Sequence, residues 1–401
     1  MPFAFRHQPI KTIYTVGTLL YLLCCLPVWT VVGLVPAFRP RRSWTLKRTL
    51  IVKSYRVLLR MMFNTAIIVP GPPDKYASTA RESGFVWVDA TPDLVNGEIR
   101  DMAQINEVKA EKTCGFWYGP RGSDGEPGQR ASEGEKVVYH MHGGGYIMGT
   151  AHPSNKSVVT CFNGFLEHFG PNVRIFAIEY RKSSASPFAP ANPFPAALLD
   201  VIAGYRYLVE DVGFAPKNII VGGDSAGGGL AFDLALYLAA NSFPSLASPA
   251  GLLLLSPSLD WAVTQRGRDS AMVRNDASDF VQGFFDSGYT RRALLGALPE
   301  ETAATSVWLG PGSLRAQKPP GAWAQLPPAC IVAGGAEISI DPMRTLRDRM
   351  QEDVGKEHVE YIELEDAAHD PFTLEWLEPE RTEGLRQVGA WVQKIWAEHT
   401  P

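Results

Sequence analysis

Val221-Gly222-Gly223-Asp224-Ser225-Ala226-Gly227-Gly228 decides how this chain folds. The residues leading into it, from Asn218, are an apolar, β-branched run of strand character. The residues leaving it, Ala226 to Ala240, follow a helical pattern. The stretch fits G-x-S-x-G at Gly223, Ser225 and Gly227. Between a strand and a helix, that spacing describes a tight turn that lifts a serine hydroxyl clear of a sheet. Glycines two before and two after leave room for the bend and for close packing of the helix. The helix amino terminus favours negative charge developing beside the serine. A bare G-x-S-x-G arises by chance in many proteins; its setting singles out Ser225 as the candidate nucleophile.

Working upstream, the strand Lys136–Met141 runs into His142-Gly143-Gly144-Gly145-Tyr146. Successive glycines let backbone N–H groups face a cavity without side chains in the way. Acyl transfer needs such donors where a tetrahedral oxyanion forms. The N–H groups of Gly144, Gly145 and Ala226 are expected to converge, with His142 and Gly143 fixing the loop. Working downstream, a base should follow the nucleophile and the acid in the order Ser, Asp/Glu, His. His358, His369 and His399 qualify by position. His358 starts a strand and His399 stands at the chain end, whereas His369 occupies a small-residue loop, Glu365-Asp366-Ala367-Ala368-His369-Asp370-Pro371-Phe372, after the last strand. His369 is the expected base. Glu337 and Asp341 both follow the strand Ala329–Gly334, and either could orient the imidazole. Asp341 precedes Pro342 and also suits a helix start. Position alone leaves the two open.

Short β-branched runs alternate with helical patterns through this half of the chain. Expected strands are Lys136–Met141, Val173–Tyr180, Asn218–Gly222, Gly251–Ser256, Ala329–Gly334 and His358–Leu364. Expected helices are Phe194–Val209, Ala226–Ala240, Pro342–Gln351 and Glu380–Glu398. Such alternation implies an α/β fold, a mostly parallel sheet flanked by helices on both faces. The alternation breaks near residues 262–325, the expected cap insertion over the site. The Gly-, Ser- and Glu-rich stretch Pro120–Glu135 is expected to be an exposed loop.

At the other end, Thr12 to Phe38 holds no charged residue, long enough to cross the ~30 Å hydrocarbon core as a helix. A cleavable signal peptide is the rival, but its apolar region would be about 7–15 residues with a small-residue site after it. Residues 1–60 are therefore expected to be a single-pass membrane anchor with a basic amphipathic segment, and 61–401 a catalytic domain. Arg6 and Lys11 precede the span; Arg39, Arg41, Arg42, Lys47, Arg48 and Lys53 follow it, favouring a cytoplasmic catalytic domain while leaving orientation open. Leu46, Leu50, Ile51, Tyr55, Leu58, Leu59 and Met62 recur at helical spacing within that basic segment. Net charge is −4, which speaks against a nucleic-acid partner. The five cysteines are scattered, with no metal-ligand spacing, and are expected to be free buried thiols. The sequon Asn155-Lys156-Ser157 is expected to be a chance match.

With these residues in view, the chain resembles the hormone-sensitive-lipase branch of the α/β-hydrolases. That branch includes arylacetamide deacetylases and fungal membrane-anchored steryl acetyl hydrolases. The resemblance spans Val137 to Phe372 and rests on His142–Tyr146, Glu179-Tyr180-Arg181, Pro193-Phe194-Pro195-Ala196-Ala197, Gly223–Gly228, Leu326-Pro327-Pro328-Ala329 and the His369 loop. It implies an α/β-hydrolase fold and a serine ester hydrolase using Ser225 and His369, with no cofactor or metal. Counted from Pro327-Pro328-Ala329, the family's catalytic acid falls on Glu337 and its second carboxylate on Asp341. The local Asp341-Pro342-Met343 looks like the family's acid motif but needs a gap to align. The implied partners are a small hydrophobic ester and membrane lipid, and the implied location is the endoplasmic reticulum membrane. The ester would be an acetylated sterol or a short-acyl ester of another lipophilic alcohol. Alternatives are a hydrolase of a natural-product pathway and, from another class, a non-catalytic receptor on the same fold. One departure is Arg181-Lys182-Ser183-Ser184-Ala185-Ser186, which replaces the family's Arg-Leu-Ala-Pro-Glu and adds residues up to Asn192; the entrance to the acyl pocket is expected to differ there.

Overall fold

The apolar runs assemble into one eight-stranded sheet in a computed structural model that describes residues 2–69, 71–122 and 124–398. The strands are β1 (Phe85–Val88), β2 (Thr113–Tyr118), β3 (Val137–Met141), β4 (Arg174–Glu179), β5 (Ile219–Asp224), β6 (Gly251–Leu255), β7 (Ala329–Gly334) and β8 (Val359–Leu364). Their order is β1-β2-β4-β3-β5-β6-β7-β8. β3 to β8 are parallel; β1 pairs with β2, and β2 with β4, antiparallel. This is the mostly parallel α/β sheet that the alternation implies. His399 lies outside the described residues.

The nine longest helices are α1 (Ile10–Gly33), α2 (Leu46–Thr65), α3 (Gly97–Ile105), α4 (Lys156–His168), α5 (Ala196–Arg206), α6 (Ala226–Ala240), α7 (Tyr289–Leu295), α8 (Ile340–Val354) and α9 (Glu380–Glu398). A parallel sheet must be covered on both faces. Tyr139, Val221, Leu254 and Ile331 point to one face, packed against α5, α6 and α8. Val138, Ile220, Leu253 and Cys330 point to the other, packed against α4 and α9. α9 does this with Leu385, Val388, Val392 and Ile395, one stripe of a 3.6-residue period.

β1, β2 and α4 were not foreseen from the sequence. β2 is buried along nearly its whole length, so no alternation marks it. Its Gly115 exists for packing: a Cβ there would collide with the Phe176 ring on β4. α4 starts at Asn155, whose Oδ1 accepts from Ser157 N at 3.2 Å while Nδ2 donates to Thr150 O at 2.9 Å. The sequon asparagine is thus fully engaged in capping. All five cysteines are free; Cys114, Cys161 and Cys330 are buried as expected, whereas Cys24 is exposed and Cys25 half-buried on α1, which has little packed around it.

The register decides where chemistry can happen. Met141 lies beside Gly223, and Asp224 beside Leu255, so the ends of β3, β5 and β6 are level. Gly334 and Leu364 end β7 and β8 together. The loops after β3, β5, β7 and β8 therefore open at one edge, the place where open α/β sheets hold ligands. Two further pieces close over that edge. One is the long connection between β6 and β7, built from short helices such as Gln282–Asp286 and α7. The other is α2, tied down by the Arg48–Glu380 ion pair at 2.6 Å and by Phe63 against Phe284. Just before α2, Trp44 Nε1 donates to Asp366 O at 2.8 Å and Arg41 Nη2 to Gly335 O at 2.5 Å. Both acceptors sit in the loops that hold His369 and Glu337.

Candidate active site

Ser225 ends the bend between β5 and α6 with φ 54° and ψ −118°. Such a backbone is strained for a residue with a Cβ and persists only where packing over-determines it. Here Ser225 N donates to Leu255 O at 2.8 Å, and Ser225 O accepts from Ser258 N at 2.9 Å. Close packing explains the flanking glycines: a Cβ on Gly223 would strike Gly227 O, and one on Gly227 would strike Met141 O.

His369 Nε2 lies 2.9 Å from Ser225 Oγ, and His369 Nδ1 lies 2.7 Å from Glu337 Oε2. All three residues are buried. Glu337 is held from its other oxygen, which accepts from Gly334 N at 2.6 Å and from Ser256 Oγ at 2.5 Å. Asp341 is elsewhere. It stands in the first turn of α8, where Oδ2 accepts from Ala271 N at 2.7 Å and caps the short helix Ala271–Arg274. The geometry thus joins Glu337, not Asp341, to the imidazole.

The glycine loop stands against Ser225. Asp224 Oδ2 accepts from Gly143 N at 2.9 Å, pinning the loop to the bend. His142 stacks on Tyr180 with ring centroids 4.3 Å apart, and Tyr180 Oη donates to His142 O at 2.7 Å. Burial pushes the His142 imidazole down to about 3, so it is neutral and structural. Gly144 adopts φ 118°, and a Cβ there would collide with Met148 O. The N–H groups of Gly144, Gly145 and Ala226 have no acceptor among the described residues. Three free donors beside a buried hydroxyl are what a developing oxyanion would need.

Three acidic neighbours of His369 escaped sequence reasoning. Asp370 Oδ2 lies 3.3 Å from His369 Nε2, on the Ser225 side of the ring. Asp279, from the β6–β7 connection, accepts from Ile338 N at 2.7 Å and Phe280 N at 2.6 Å. Asp224 is pushed up to about 6 by burial, against the Gly143 hydrogen bond and the charge of His369. Asp224 and Asp370 sat in motifs already quoted; Asp279 had no sequence signal. Burial alone would lower His369, but the carboxylates of Asp370, Glu337 and Asp279 outweigh it and hold the imidazole up at about 10. Donor atoms of Asp279, Glu337 and His369 lie within 4.8 Å of one another, close enough for a metal ion. In this cluster Asp279 accepts from backbone N–H groups, and Glu337 accepts from Gly334 N and Ser256 Oγ and faces His369 Nδ1.

A cavity of about 1840 Å³ lies between α1, α2 and the β6–β7 connection. Phe280 lines it and also packs edge-on against His369, with centroids 6.3 Å apart. Ser186 and Pro187, from the residues that replace the family's usual stretch, line it too. That segment is a small excursion closed by Ser184 and Ala191. Arg181, just before it, is fixed by the buried Asp200 at 2.9 Å.

The chain belongs to the alpha/beta hydrolase fold family, whose model matches residues 138–373. Among relatives, it is 31% identical over 143 residues to an esterase of Acinetobacter venetianus, covering 36% of this chain and 42% of that one. It is 26% identical over 249 residues to an acetyl-hydrolase of Streptomyces hygroscopicus, covering 61% and 67%. It is 29% identical over 222 residues to hormone-sensitive lipase of Mus musculus, covering 51% and 27%. Among solved structures, an esterase/lipase from an uncultured bacterium matches with a TM-score of 0.57 at 21% identity, over 88% of this chain and all of that one. The last likeness shows the fold alone.

Proposed function

We propose that the protein is a serine carboxylic-ester hydrolase that uses Ser225, His369 and Glu337. The observation that supports this most is the unbroken chain Ser225 Oγ, His369 Nε2, His369 Nδ1, Glu337 Oε2, with steps of 2.9 and 2.7 Å, set beside three free backbone donors. In the proposed reaction His369 Nε2 takes the Ser225 proton as Oγ attacks the ester carbonyl. The oxyanion is met by the N–H groups of Gly144, Gly145 and Ala226. His369 then hands the proton to the departing alcohol, and Glu337 balances the imidazolium throughout. Water, activated by the same imidazole, releases the acid from Ser225.

The substrate is read as a hydrophobic ester with a short acyl group, such as an acetylated lipophilic alcohol. Large side chains crowd the glycine loop: Phe284 would clash with a Cβ on Gly145, and Tyr146, Trp261 and Phe285 stand in a row behind it. This leaves little room on the acyl side and supports a small acid. The wide, partly aromatic cavity beyond Phe280 supports a bulky alcohol. The acetyl-hydrolase among the relatives is in keeping with that division. Attachment to a membrane is read from α1, a 24-residue apolar helix long enough to cross a bilayer.

The test is hydrolysis of one hydrophobic alcohol esterified with acids of increasing length, by wild type and Ser225→Ala, alongside labelling with a fluorophosphonate. Activity falling as the acid lengthens, with loss of turnover by ~10⁴–10⁶ and loss of label in Ser225→Ala, is expected. Near-normal turnover by a folded Ser225→Ala protein would remove the proposal.

A further inference from the structure

α1 and α2 form an antiparallel hairpin along their whole length. At one end Asn64 Nδ2 donates to Tyr14 Oη at 2.9 Å. Further along, Lys53 Nζ stands 5.6 Å from the Trp29 ring centroid. At the other end Gly33 abuts Leu46, and Arg39 Nε donates to Gly33 O at 2.7 Å. α2 is in turn fastened to the catalytic domain by Arg48 to Glu380 at 2.6 Å and by Arg56 to Asp276 at 3.1 Å.

This arrangement conflicts with a helix that crosses a bilayer. At 1.5 Å per residue α1 is about 36 Å long, enough to span. Yet α2 lies beside it for nearly that length with Arg48, Lys53, Arg56 and Arg60, and the domain with Glu380 and Asp276 lies behind α2. A spanning α1 would draw these charges and the surface loops around them into hydrocarbon, which excludes both. Three of the basic residues after the apolar run are engaged within the protein. Arg39, Arg41 and Arg48 are spent on the hairpin turn, on Gly335 and on Glu380.

The two sides of α1 differ. Tyr14, Thr18 and Tyr21 face the cavity shared with α2. Ile13, Leu20, Leu23 and Val31 face outward, 66%, 57%, 63% and 67% exposed. Lys53 and Arg60, along the cavity, have no carboxylate within 4.0 Å among the described residues. An apolar outward face on α1, with Lys53 and Arg60 on the α2 side behind it, matches acyl chains below and anionic headgroups above. We propose that α1 lies in the plane of one leaflet of an anionic phospholipid membrane, its outward stripe among the acyl chains, with both chain ends and the catalytic domain on the same side. The cavity then opens at the lipid surface, with Phe280, whose other side packs on His369, in its wall. The inference rests on α1 as the membrane attachment and is independent of the chemistry at Ser225.

The test uses full-length protein with different epitope tags at its two ends, in sealed microsomes treated with protease without detergent. The two tags should share one fate; opposite fates would mean a crossing helix and overturn the proposal. Purified protein is also sedimented with vesicles of phosphatidylcholine alone or mixed with phosphatidylserine. The mixed vesicles should bind more strongly, and Lys53→Gln/Arg60→Gln should abolish that preference. Ile13→Glu/Leu20→Glu/Leu23→Glu should cut the bound fraction on the order of tenfold, because charge now lies in the acyl layer. Hydrolysis of a short water-soluble ester, measured in parallel, should be unchanged in the triple-glutamate variant, whose three positions lie outside the cavity wall. Binding unaltered by the glutamates, or no binding by wild type, would overturn the in-plane helix while leaving the hydrolase reading standing. Absence of ester hydrolysis with normal vesicle binding would do the reverse.

Discussion

Glu337→Gln is the perturbation that weighs most on the proposed site. Glu337 Oε1 accepts two hydrogen bonds, from Gly334 N and Ser256 Oγ, while Oε2 faces His369 Nδ1. A glutamine has one acceptor oxygen. It will go where two donors wait, leaving the amide NH2 towards Nδ1. Nδ1 must then accept, so the imidazole proton moves to Nε2, the nitrogen that faces Ser225. That tautomer cannot take the serine proton. The imidazolium of the transition state also loses its counter-charge. Opposite unit charges 2.7 Å apart, at an effective dielectric of about 20, interact by about 6 kcal/mol. The glutamine dipole and local relaxation recover part of this, so the expected loss in kcat is about 10²–10⁴. The fold should survive, because both buried donors keep their acceptor. Asp341→Asn is the control. Its oxygen can still accept from Ala271 N, and its ion pairs with Arg274 and Arg344 are long, at 3.7 and 3.6 Å, and exposed. It should cost about 1 kcal/mol of stability or less and change kcat little. Steady-state kinetics with circular dichroism on both variants decides the matter. A folded Glu337→Gln enzyme within tenfold of wild type, or a larger kcat loss in Asp341→Asn, would refute the reasoning.

The pH profile offers a second check: His369 is raised above its ordinary 6.5, so the neutral base is populated only as pH climbs through that higher value, and kcat/KM should rise along an alkaline limb. Asp370→Asn removes one of the carboxylates that raise it and should move that limb towards lower pH; an unmoved limb would show that Asp370 does not govern the proton on Nε2. Gly144→Ala should lower kcat by about 10²–10³, because the φ of 118° and the collision with Met148 O displace the donors meant for the oxyanion. KM changing while kcat holds would argue against that role for the loop.

The sequence settled what local chemistry alone can settle. G-x-S-x-G between a β-branched run and a helix has essentially one backbone solution, so Ser225 and its turn were legible, as were six parallel strands, five of them buried on both faces and the edge strand β8 on one. The glycine loop was legible because free N–H donors need residues without side chains. His369 followed from chain order. Tertiary structure alone decided the rest, because it depends on register and packing between distant segments. Glu337 and Asp341 are four residues apart, and only the end of β7 beside β8 shows which one meets the imidazole. Asp279 reaches His369 from a connection with no pattern of its own, through hydrogen bonds to Ile338 and Phe280. β1 and β2 were hidden because their pairing, not their periodicity, makes them strands. The apolar run Thr12–Phe38 was legible as a long apolar helix, a property of composition. That α2 packs along it, between α1 and the catalytic domain, depends on contacts between distant segments and is seen only in the tertiary structure.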